Sequence, residues 1–257
     1  MNKIIVVDGN NLYAIAYYSL KGDTSKLVDT FLSMLRGVCE REQDGTHMII
    51  AWDSREIRKK SDDESYKAGR KPKPPNYYNA WDPLLAQLTL EKVQYYQVPG
   101  IEADDIIGKI VKAAKKKQCR CVVVSADKDM YPLLEEDDSV YVYNPMTQDW
   151  VDYRRFVEKF GIKPNQYEQV VALMGKASNN TKGVEGVGKQ TAFKAIQTYG
   201  SLDGLYASDM AAITKRFRQK LIDGKEDAYK TLEQIKFLAD FQLPKSTCAA
   251  MAEIFQF

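Results

Sequence analysis

Short apolar runs rich in β-branched residues recur along residues 1–152, and acidic residues directly follow several of them. Runs this short and continuous predict strands that are buried on both faces, as in a parallel sheet. Segments with apolar residues at helical spacing separate the runs, which predicts right-handed βαβ units and an α/β fold with helices on both faces of the sheet. Strands are predicted at 4–7, 48–52, 93–98, 121–124 and 140–143, and helices over 26–40 and from 103 to about 117.

Acidic residues are predicted to meet at one edge of this sheet, because ligands of such sheets bind beyond the carboxyl ends of the strands. Ordinary turn chemistry explains Asp8 taken alone, and the dipole of a helix N-terminus explains Glu102 taken alone. Several carboxylates together raise one another's pKa unless a cation lies among them. The sequence therefore favours a site for a divalent metal ion. The acids assigned to it are Asp8, Asp53, Glu102, Asp104, Asp105, Asp127 and Asp129.

The composition excludes several other classes of protein. The chain has 257 residues, a net charge of +2, one histidine and four cysteines without CxxC spacing. A zinc site, a Ser-His-Asp triad and a disulfide framework are therefore poorly supported. The apolar stretch near the start is too short for a signal peptide, and no run reaches transmembrane length. We expect a cytoplasmic protein, monomeric and without a membrane partner.

A basic segment lies between the second and third predicted strands. It extends from Arg55 to Lys73, and three aromatic residues, Tyr77, Tyr78 and Trp81, follow it closely. A run of charges is usually a solvated face. Cations interleaved with aromatic residues are also what a segment needs to contact phosphates and bases.

The pattern becomes helical from about Tyr153. A glycine-rich tract at 183–189 separates predicted helices at 166–174 and 190–199. Glycines at this spacing allow backbone N–H groups to approach a phosphate at a helix N-terminus. A plain connector between two helices explains the tract equally well.

These motifs together resemble the flap endonuclease / 5′→3′ exonuclease family of bacteriophages and short bacterial enzymes. The resemblance extends over most of the chain and follows the family's order. It implies a PIN-like nuclease core at 1–152, including a basic arch at 54–82, followed by a helix-hairpin-helix region at 153–257. The motifs that carry it are Val6–Asn10, Trp52-Asp53, Tyr66–Arg70, Gly100–Asp105, Ser125–Asp129 and Lys182–Gly188.

The resemblance implies roles for individual residues. The seven acids match the family's ligands for Mg²⁺, for which Mn²⁺ can substitute. Tyr66, Lys67 and Arg70 fall in an arch that takes the 5′ single strand of a DNA flap or free end, and Lys67 matches a basic residue close to the scissile phosphate. Lys67 and Arg70 are the catalytic candidates of this arch, and Arg58 and Lys59 are rival candidates for an arginine expected ahead of it. Further DNA contacts are expected from Arg58, Lys59, Tyr66, Gly183, Gly186, Gly188, Lys189 and Gln190, with K⁺ as a further ion at the hairpin.

The chain departs from the family just before the hairpin. The family usually carries Gly-Asp-x-x-Asp-Asn there, with two acids of a second metal site, and this chain carries Gly175-Lys176-Ala177-Ser178-Asn179-Asn180. We expect a weakened second site, with Lys176 taking over part of its electrostatic role in catalysis. Two alternatives stay open, namely a branched-DNA-binding protein with feeble catalysis and a PIN-type ribonuclease.

Overall fold

The computed structural model describes residues 3–42, 46–54, 71–176, 181–238 and 241–243. These residues form two compact units. The first unit contains the described residues within 1–58, 72–152 and 238–257, and the second contains those within 59–71 and 153–237.

The first unit is built on a mostly parallel sheet. The described residues give it six strands in the order β3-β2-β1-β4-β5-β6, and only β6 runs antiparallel to its neighbour. The five predicted strands are all present, whereas the short strand β6 was not predicted from the sequence. The strands are β1 (Lys3–Asp8), β2 (Thr46–Trp52), β3 (Gln94–Gln97), β4 (Arg120–Val124), β5 (Val140–Asn144) and β6 (Asp149–Val151).

Among the residues that the structure describes, four helices flank this sheet, and two of them, α2 and α4, lie where helical spacing predicted them. The chain enters a helix directly after Asp8, although Asx and Gly residues after a strand are also typical of turns. Asp8 caps that helix by accepting a hydrogen bond from the Asn11 N–H, which favours helix over turn. The helices are α1 (Gly9–Ser19), α2 (Leu27–Glu42), α3 (Trp81–Leu90) and α4 (Ala103–Lys116).

Gly9 is required where β1 passes into α1. A Cβ atom at this position would lie 2.5 Å from the Trp52 ring and 2.8 Å from the Ile50 side chain. The absence of a side chain thus lets the start of α1 approach the end of β2.

The core lies on both faces of the sheet, as expected for buried parallel strands. Ile5 and Val7 of β1 belong to a buried cluster with the inward faces of α1, α2 and α3. On the other face, α4 packs against β1, β2 and β4, and its Ile106 and Ile110 are fully buried. The carboxyl ends of β1, β2 and β4 are thereby fixed with respect to the start of α4.

The second unit is helical. Aromatic side chains of α5, α6 and α7 pack together, with Phe160 stacked on Phe193 at 5.5 Å between ring centroids, and α10 packs against α6. Its helices are α5 (Tyr153–Phe160), α6 (Tyr167–Met174), α7 (Lys189–Tyr199), α8 (Leu202–Ala207), α9 (Lys215–Asp223) and α10 (Lys225–Ile235). Among the described residues of both units, no helix combines the length and the apolar character that a membrane span requires.

Candidate active site

Asp8 lies at the carboxyl end of β1 and is the most informative of the predicted site acids. The residue is only 5% exposed, and its carboxylate accepts hydrogen bonds from the Asn11 N–H at 3.0 Å and the Ser125 hydroxyl at 2.9 Å. Burial, together with the negative charges of Asp53 and Asp127, raises the pKa of Asp8 to about 7. The structure thus places Asp53 and Asp127 within electrostatic reach of Asp8.

Asp53 connects the end of β2 to the start of α4. Its carboxylate accepts a hydrogen bond from the Ala103 N–H at 2.8 Å, and its own N–H donates to the side-chain oxygen of Asn10 at 2.7 Å. The Ala103 N–H belongs to the first turn of α4 and has no partner within the helix. Asp53 therefore carries negative charge at the positive end of the α4 dipole, in a fixed orientation.

Ser125 links the ends of β1 and β4. It is buried, and its hydroxyl oxygen accepts a hydrogen bond from the Asp127 N–H at 3.0 Å while its proton goes to Asp8. The Asp127 carboxylate in turn accepts the Asp129 N–H at 3.0 Å, capping a short 3₁₀ helix at Lys128–Leu133. One hydroxyl thus joins the Asp8 carboxylate to the backbone of Asp127.

The acids of α4 lie in different environments. Glu102, directly before the helix, is buried, and Asp104 in the first turn is partly exposed. Asp105 is fully buried, and its carboxylate accepts the backbone N–H of Leu238 at 2.8 Å. In this structure Asp105 therefore anchors a segment 133 residues further along the chain.

The carboxyl edge of the sheet suits a hydrated cation. Carboxylates are the hard oxygen ligands that Mg²⁺ prefers. Burial is the main cause of the raised pKa of Asp8, and the nearby charges of Asp53 and Asp127 add to it. Within the described ranges, no three His, Cys, Asp or Glu side chains are spaced to bind an ion directly. Mg²⁺ usually keeps several water molecules and needs only one or two carboxylates, so the residues fit water-mediated binding.

Two polar residues beside these acids were missed as site residues. Asn10 accepts the Asp53 N–H, and the side chain of Asn11 accepts the Ala126 N–H at 2.9 Å. Both therefore hold neighbouring strand ends in place. The sequence signal was present, since two asparagines directly after Asp8-Gly9 are more than one turn requires.

The glycine tract of the second unit forms a tight hairpin between α6 and α7. Gly183 has φ +59°, and a Cβ there would lie 2.2 Å from the Gly175 nitrogen. Gly186 has φ +71°, and Gly188 caps α7, which begins with Lys189 and Gln190. Backbone contact and positive φ thus explain glycine at 183, and positive φ explains it at 186.

Lys220 is a basic residue near this hairpin that the sequence motifs did not indicate. A Cβ on Gly186 would lie 2.1 Å from the Lys220 ammonium nitrogen, so that ammonium lies directly against the hairpin. It comes from α9, more than thirty residues away along the chain, so only the tertiary structure reveals it.

Lys176 begins the loop that leads into the hairpin. Its backbone N–H and C=O pair with Thr181 at 2.9 and 3.1 Å, which closes the loop with an isolated antiparallel bridge. Asn179 lies outside the described residues.

Most of the predicted arch also lies outside the described residues, including Arg58, Lys59, Tyr66, Lys67 and Arg70. The aromatic residues after it divide into two groups. Tyr77 and Trp81 are buried in contact with Tyr13, so they form core rather than a base-contacting surface, whereas Tyr78 is 57% exposed.

Family models cover almost the whole chain. The N-terminal, resolvase-like domain of 5′-3′ exonucleases matches residues 3–161, and their C-terminal SAM fold matches residues 162–253. The chain belongs to the 5′-3′ exonuclease family. The family predicted from the sequence motifs is therefore confirmed.

Curated relatives of this 5′-3′ exonuclease family member include much longer proteins. It is 30% identical to DNA polymerase I of Bacillus subtilis over 247 residues, which cover 93% of this chain and 28% of that protein. The DNA polymerase I of Thermus aquaticus is 28% identical over 250 residues, covering 94% of this chain and 29% of that one. The chain thus spans less than a third of these relatives.

A solved structure of T5 5′-exonuclease with bound divalent zinc ions has the same fold as this family member. Its TM-score is 0.76 at 19% identity, and the match covers 99% of this chain and 96% of that one. The predicted α/β nuclease core with a helical region is therefore confirmed at the level of fold.

Proposed function

We propose that this chain is a metal-dependent 5′ nuclease that hydrolyses phosphodiester bonds in DNA bearing 5′ single-stranded ends. The observation that carries the proposal is the meeting of Asp8, Asp53 and Asp127 at the carboxyl edge of the sheet, in a member of the 5′-3′ exonuclease family. Such an edge is where α/β sheets bind their ligands.

In this proposal Asp8, Asp53 and Asp127 hold a hydrated Mg²⁺ or Mn²⁺, together with Glu102 and Asp104 at the start of α4. The bound cation supplies a Lewis acid and lowers the pKa of water. The chain's own part is to keep the carboxylates oriented. Ser125 fixes Asp8 against Asp127, and the Ala103 N–H fixes Asp53.

In this proposal, positively charged side chains and backbone N–H groups bind the phosphates of the DNA. We assign phosphate contacts to Arg58, Lys59, Tyr66, Lys67 and Arg70 of the basic segment from their match to the family motifs. In the second unit the hairpin at 183–188, the start of α7 and the Lys220 ammonium offer further N–H and cationic groups. Such binding is independent of sequence and falls steeply with salt. A K⁺ ion at the hairpin is part of the same proposal.

Lys176 has a separate role in the proposal. It stands where family members carry an acid, so we assign its ammonium to stabilising the charge that develops on the phosphate during hydrolysis. A cation 4 Å from a second divalent ion would be repelled by about 8 kcal/mol at an effective dielectric near 20, twice the value for two unit charges. Lys176 and a tightly bound second ion therefore exclude one another.

The test is cleavage of a 5′-flap DNA with Mg²⁺, together with metal-free binding measured by fluorescence anisotropy. Asp127→Asn should reduce cleavage at least 100-fold while DNA binding persists. Asp137→Asn, which changes an exposed acid bonded to Ser139, is the matched control and should cleave normally. Equal cleavage by both variants would refute the assignment of Asp127 as a ligand of the metal ion.

A second candidate function, a branched-DNA-binding protein with feeble catalysis, is favoured by the same replacement of acid by Lys176. Lys176→Ala distinguishes the two, with the exposed Lys163→Ala as control. Turnover at saturating flap DNA should fall at least 10-fold for Lys176→Ala alone. Unchanged or faster turnover in Lys176→Ala would refute a catalytic role for this lysine. If the unchanged protein cleaves RNA but not flap DNA, a ribonuclease is favoured instead.

A further inference from the structure

The described residues after position 237 belong to the first unit, and among them Leu238 and Phe241 contact α4. The Leu238 N–H donates to the Asp105 carboxylate at 2.8 Å. The Phe241 ring lies beside the Lys109 ammonium, with 4.3 Å between the nitrogen and the ring centroid. We refer to Leu238 and Phe241 together as the C-terminal strap.

Both contacts of the strap fall on one side of α4. Asp105 and Lys109 are four residues apart, which places them on the same face of a helix, about 6 Å apart along its axis. The contacts of Leu238 and Phe241 follow one another in the same order along both segments. The strap therefore holds α4 at two successive turns, which restricts sliding and rotation of the helix.

The contact at Asp105 involves a buried acid. Asp105 is fully buried, and burying a carboxylate costs free energy unless hydrogen-bond donors satisfy it. The Leu238 N–H is such a donor, and a hydrogen bond to an ionised acceptor is about twice as strong as one between neutral groups. At Lys109 the cation–π contact adds a second attraction. Loss of the strap would deprive the Asp105 carboxylate of this donor.

The start of α4 is also bonded to the end of β2. Ser54, two residues beyond that strand, is buried, and its hydroxyl accepts the Gly100 N–H at 2.9 Å. Asp53 accepts the Ala103 N–H at 2.8 Å. Glu102 therefore lies between two residues that are bonded to this strand end.

Asp104 lies between the two sets of contacts. The residue before it, Ala103, is bonded to Asp53, and the residue after it, Asp105, is bonded to Leu238. A shift of the first turn of α4 would therefore move Asp104 as well. A misplacement of about 1 Å in an active site can lower a rate by about 100-fold.

We propose that Asp105 is a positioning residue, which together with the C-terminal strap holds Asp104 and Glu102 in place for the metal ion. The inference rests on the proposed metal-dependent function, and it replaces the ligand role that the family motifs give to Asp105. Metal affinity then depends on a residue that lies 133 positions beyond Asp105 along the chain. Removing a residue that orients metal ligands typically lowers metal affinity by about 10–100-fold.

The experiment measures the Mn²⁺ affinity of the full chain from the electron paramagnetic resonance signal of unbound Mn²⁺. Asp105→Ala removes the hydrogen-bond acceptor and should lower Mn²⁺ affinity by about 10–100-fold. Asp105→Asn keeps a side-chain oxygen that accepts the Leu238 N–H, so its affinity should stay within about 3-fold of that of the unchanged protein. Asp104→Asn removes the charge of an assigned ligand and should lose affinity as Asp105→Ala does.

Phe241→Ala tests the strap without changing any acid. It should lower Mn²⁺ affinity by about 10-fold and speed amide hydrogen exchange of residues 103–109 by about 3-fold or more. Phe217→Ala is the matched control, because Phe217 is also half-buried and its ring lies 5.8 Å from the Arg216 guanidinium, but in α9. This control should bind Mn²⁺ as the unchanged protein does and exchange normally at 103–109. Thermal melting checks that each variant folds.

The proposal is overturned if Asp105→Asn loses as much Mn²⁺ affinity as Asp105→Ala, because that result makes Asp105 a metal ligand. It is also overturned if Phe241→Ala, folded, matches Phe217→Ala in Mn²⁺ affinity or in exchange at 103–109. Neither measurement uses cleavage. An unchanged protein that binds Mn²⁺ but does not cleave flap DNA would therefore refute the proposed activity and not the role of the strap.

Discussion

Replacing Ser125 with alanine should weaken metal binding, although Ser125 is not one of the acids. The buried hydroxyl donates to Asp8 at 2.9 Å and accepts the Asp127 N–H at 3.0 Å, so one substitution removes two hydrogen bonds. The bond to a charged carboxylate stabilises by about 1.5–3 kcal/mol and the neutral one by about 0.5–1.5 kcal/mol. We therefore expect the free energy of unfolding to fall by about 2–4 kcal/mol.

The effect on metal follows from orientation. Loss of a residue that orients a metal ligand typically lowers metal affinity 10–100-fold. The Mg²⁺ concentration that gives half-maximal cleavage of a 5′-flap substrate should rise by about that factor in Ser125→Ala. Urea denaturation of the same preparation measures the loss of stability.

Ser208→Ala is the matched control. The Ser208 hydroxyl also donates one hydrogen bond, to the Leu205 carbonyl at 2.8 Å, and accepts one, from the Met210 N–H at 3.1 Å, but it lies in the helical unit. This variant should lose stability while its Mg²⁺ dependence stays the same. The reasoning would be refuted if Ser125→Ala had the same Mg²⁺ dependence as the unchanged protein, or if both variants showed the same shift.

Three further predictions concern backbone and charge. Gly9→Ala should cost about 1–3 kcal/mol of stability in urea denaturation, because its Cβ would lie 2.5 Å from the Trp52 ring. Gly183→Ala should lower the free energy of unfolding by about 2–5 kcal/mol, because φ is +59° and the added Cβ would lie 2.2 Å from the Gly175 nitrogen. The same variant should bind duplex DNA more weakly in fluorescence anisotropy. Normal stability would contradict this prediction. Lys220→Gln should lower the slope of log affinity for duplex DNA against log salt by about 0.9, and an unchanged slope would show that Lys220 makes no phosphate contact.

Much of the first unit follows from local pattern. The strands at 4–7 and 121–124 are continuous apolar runs, which only a sheet covered on both faces accommodates, and the structure buries them completely. Acids that follow such strands lie at the carboxyl edge of the sheet, so the sequence could predict that Asp8 and Asp127 lie close together. The helix after Asp8 was missed because Asp-Gly-Asn-Asn is read as turn chemistry until its capping bond is seen.

Side-chain environment was beyond the reach of the sequence. The pattern placed Tyr77 among the aromatic residues that could contact bases beside the basic segment, whereas in the structure it is buried in contact with Tyr13. Asp105 was grouped with the metal-facing acids, and the structure shows its carboxylate accepting an N–H from Leu238. In both cases the partner is distant in sequence, so no local periodicity records it.

The sequence by itself determined the family, the five parallel strands and the residues that supply negative charge, because continuous apolar runs, spacing and residue type are local properties. Tertiary structure alone decided which of those charges are buried, which hydroxyl and amide groups orient them, and that a lysine of α9 lies against the glycine hairpin. These depend on distances between segments that the chain brings together only when it folds.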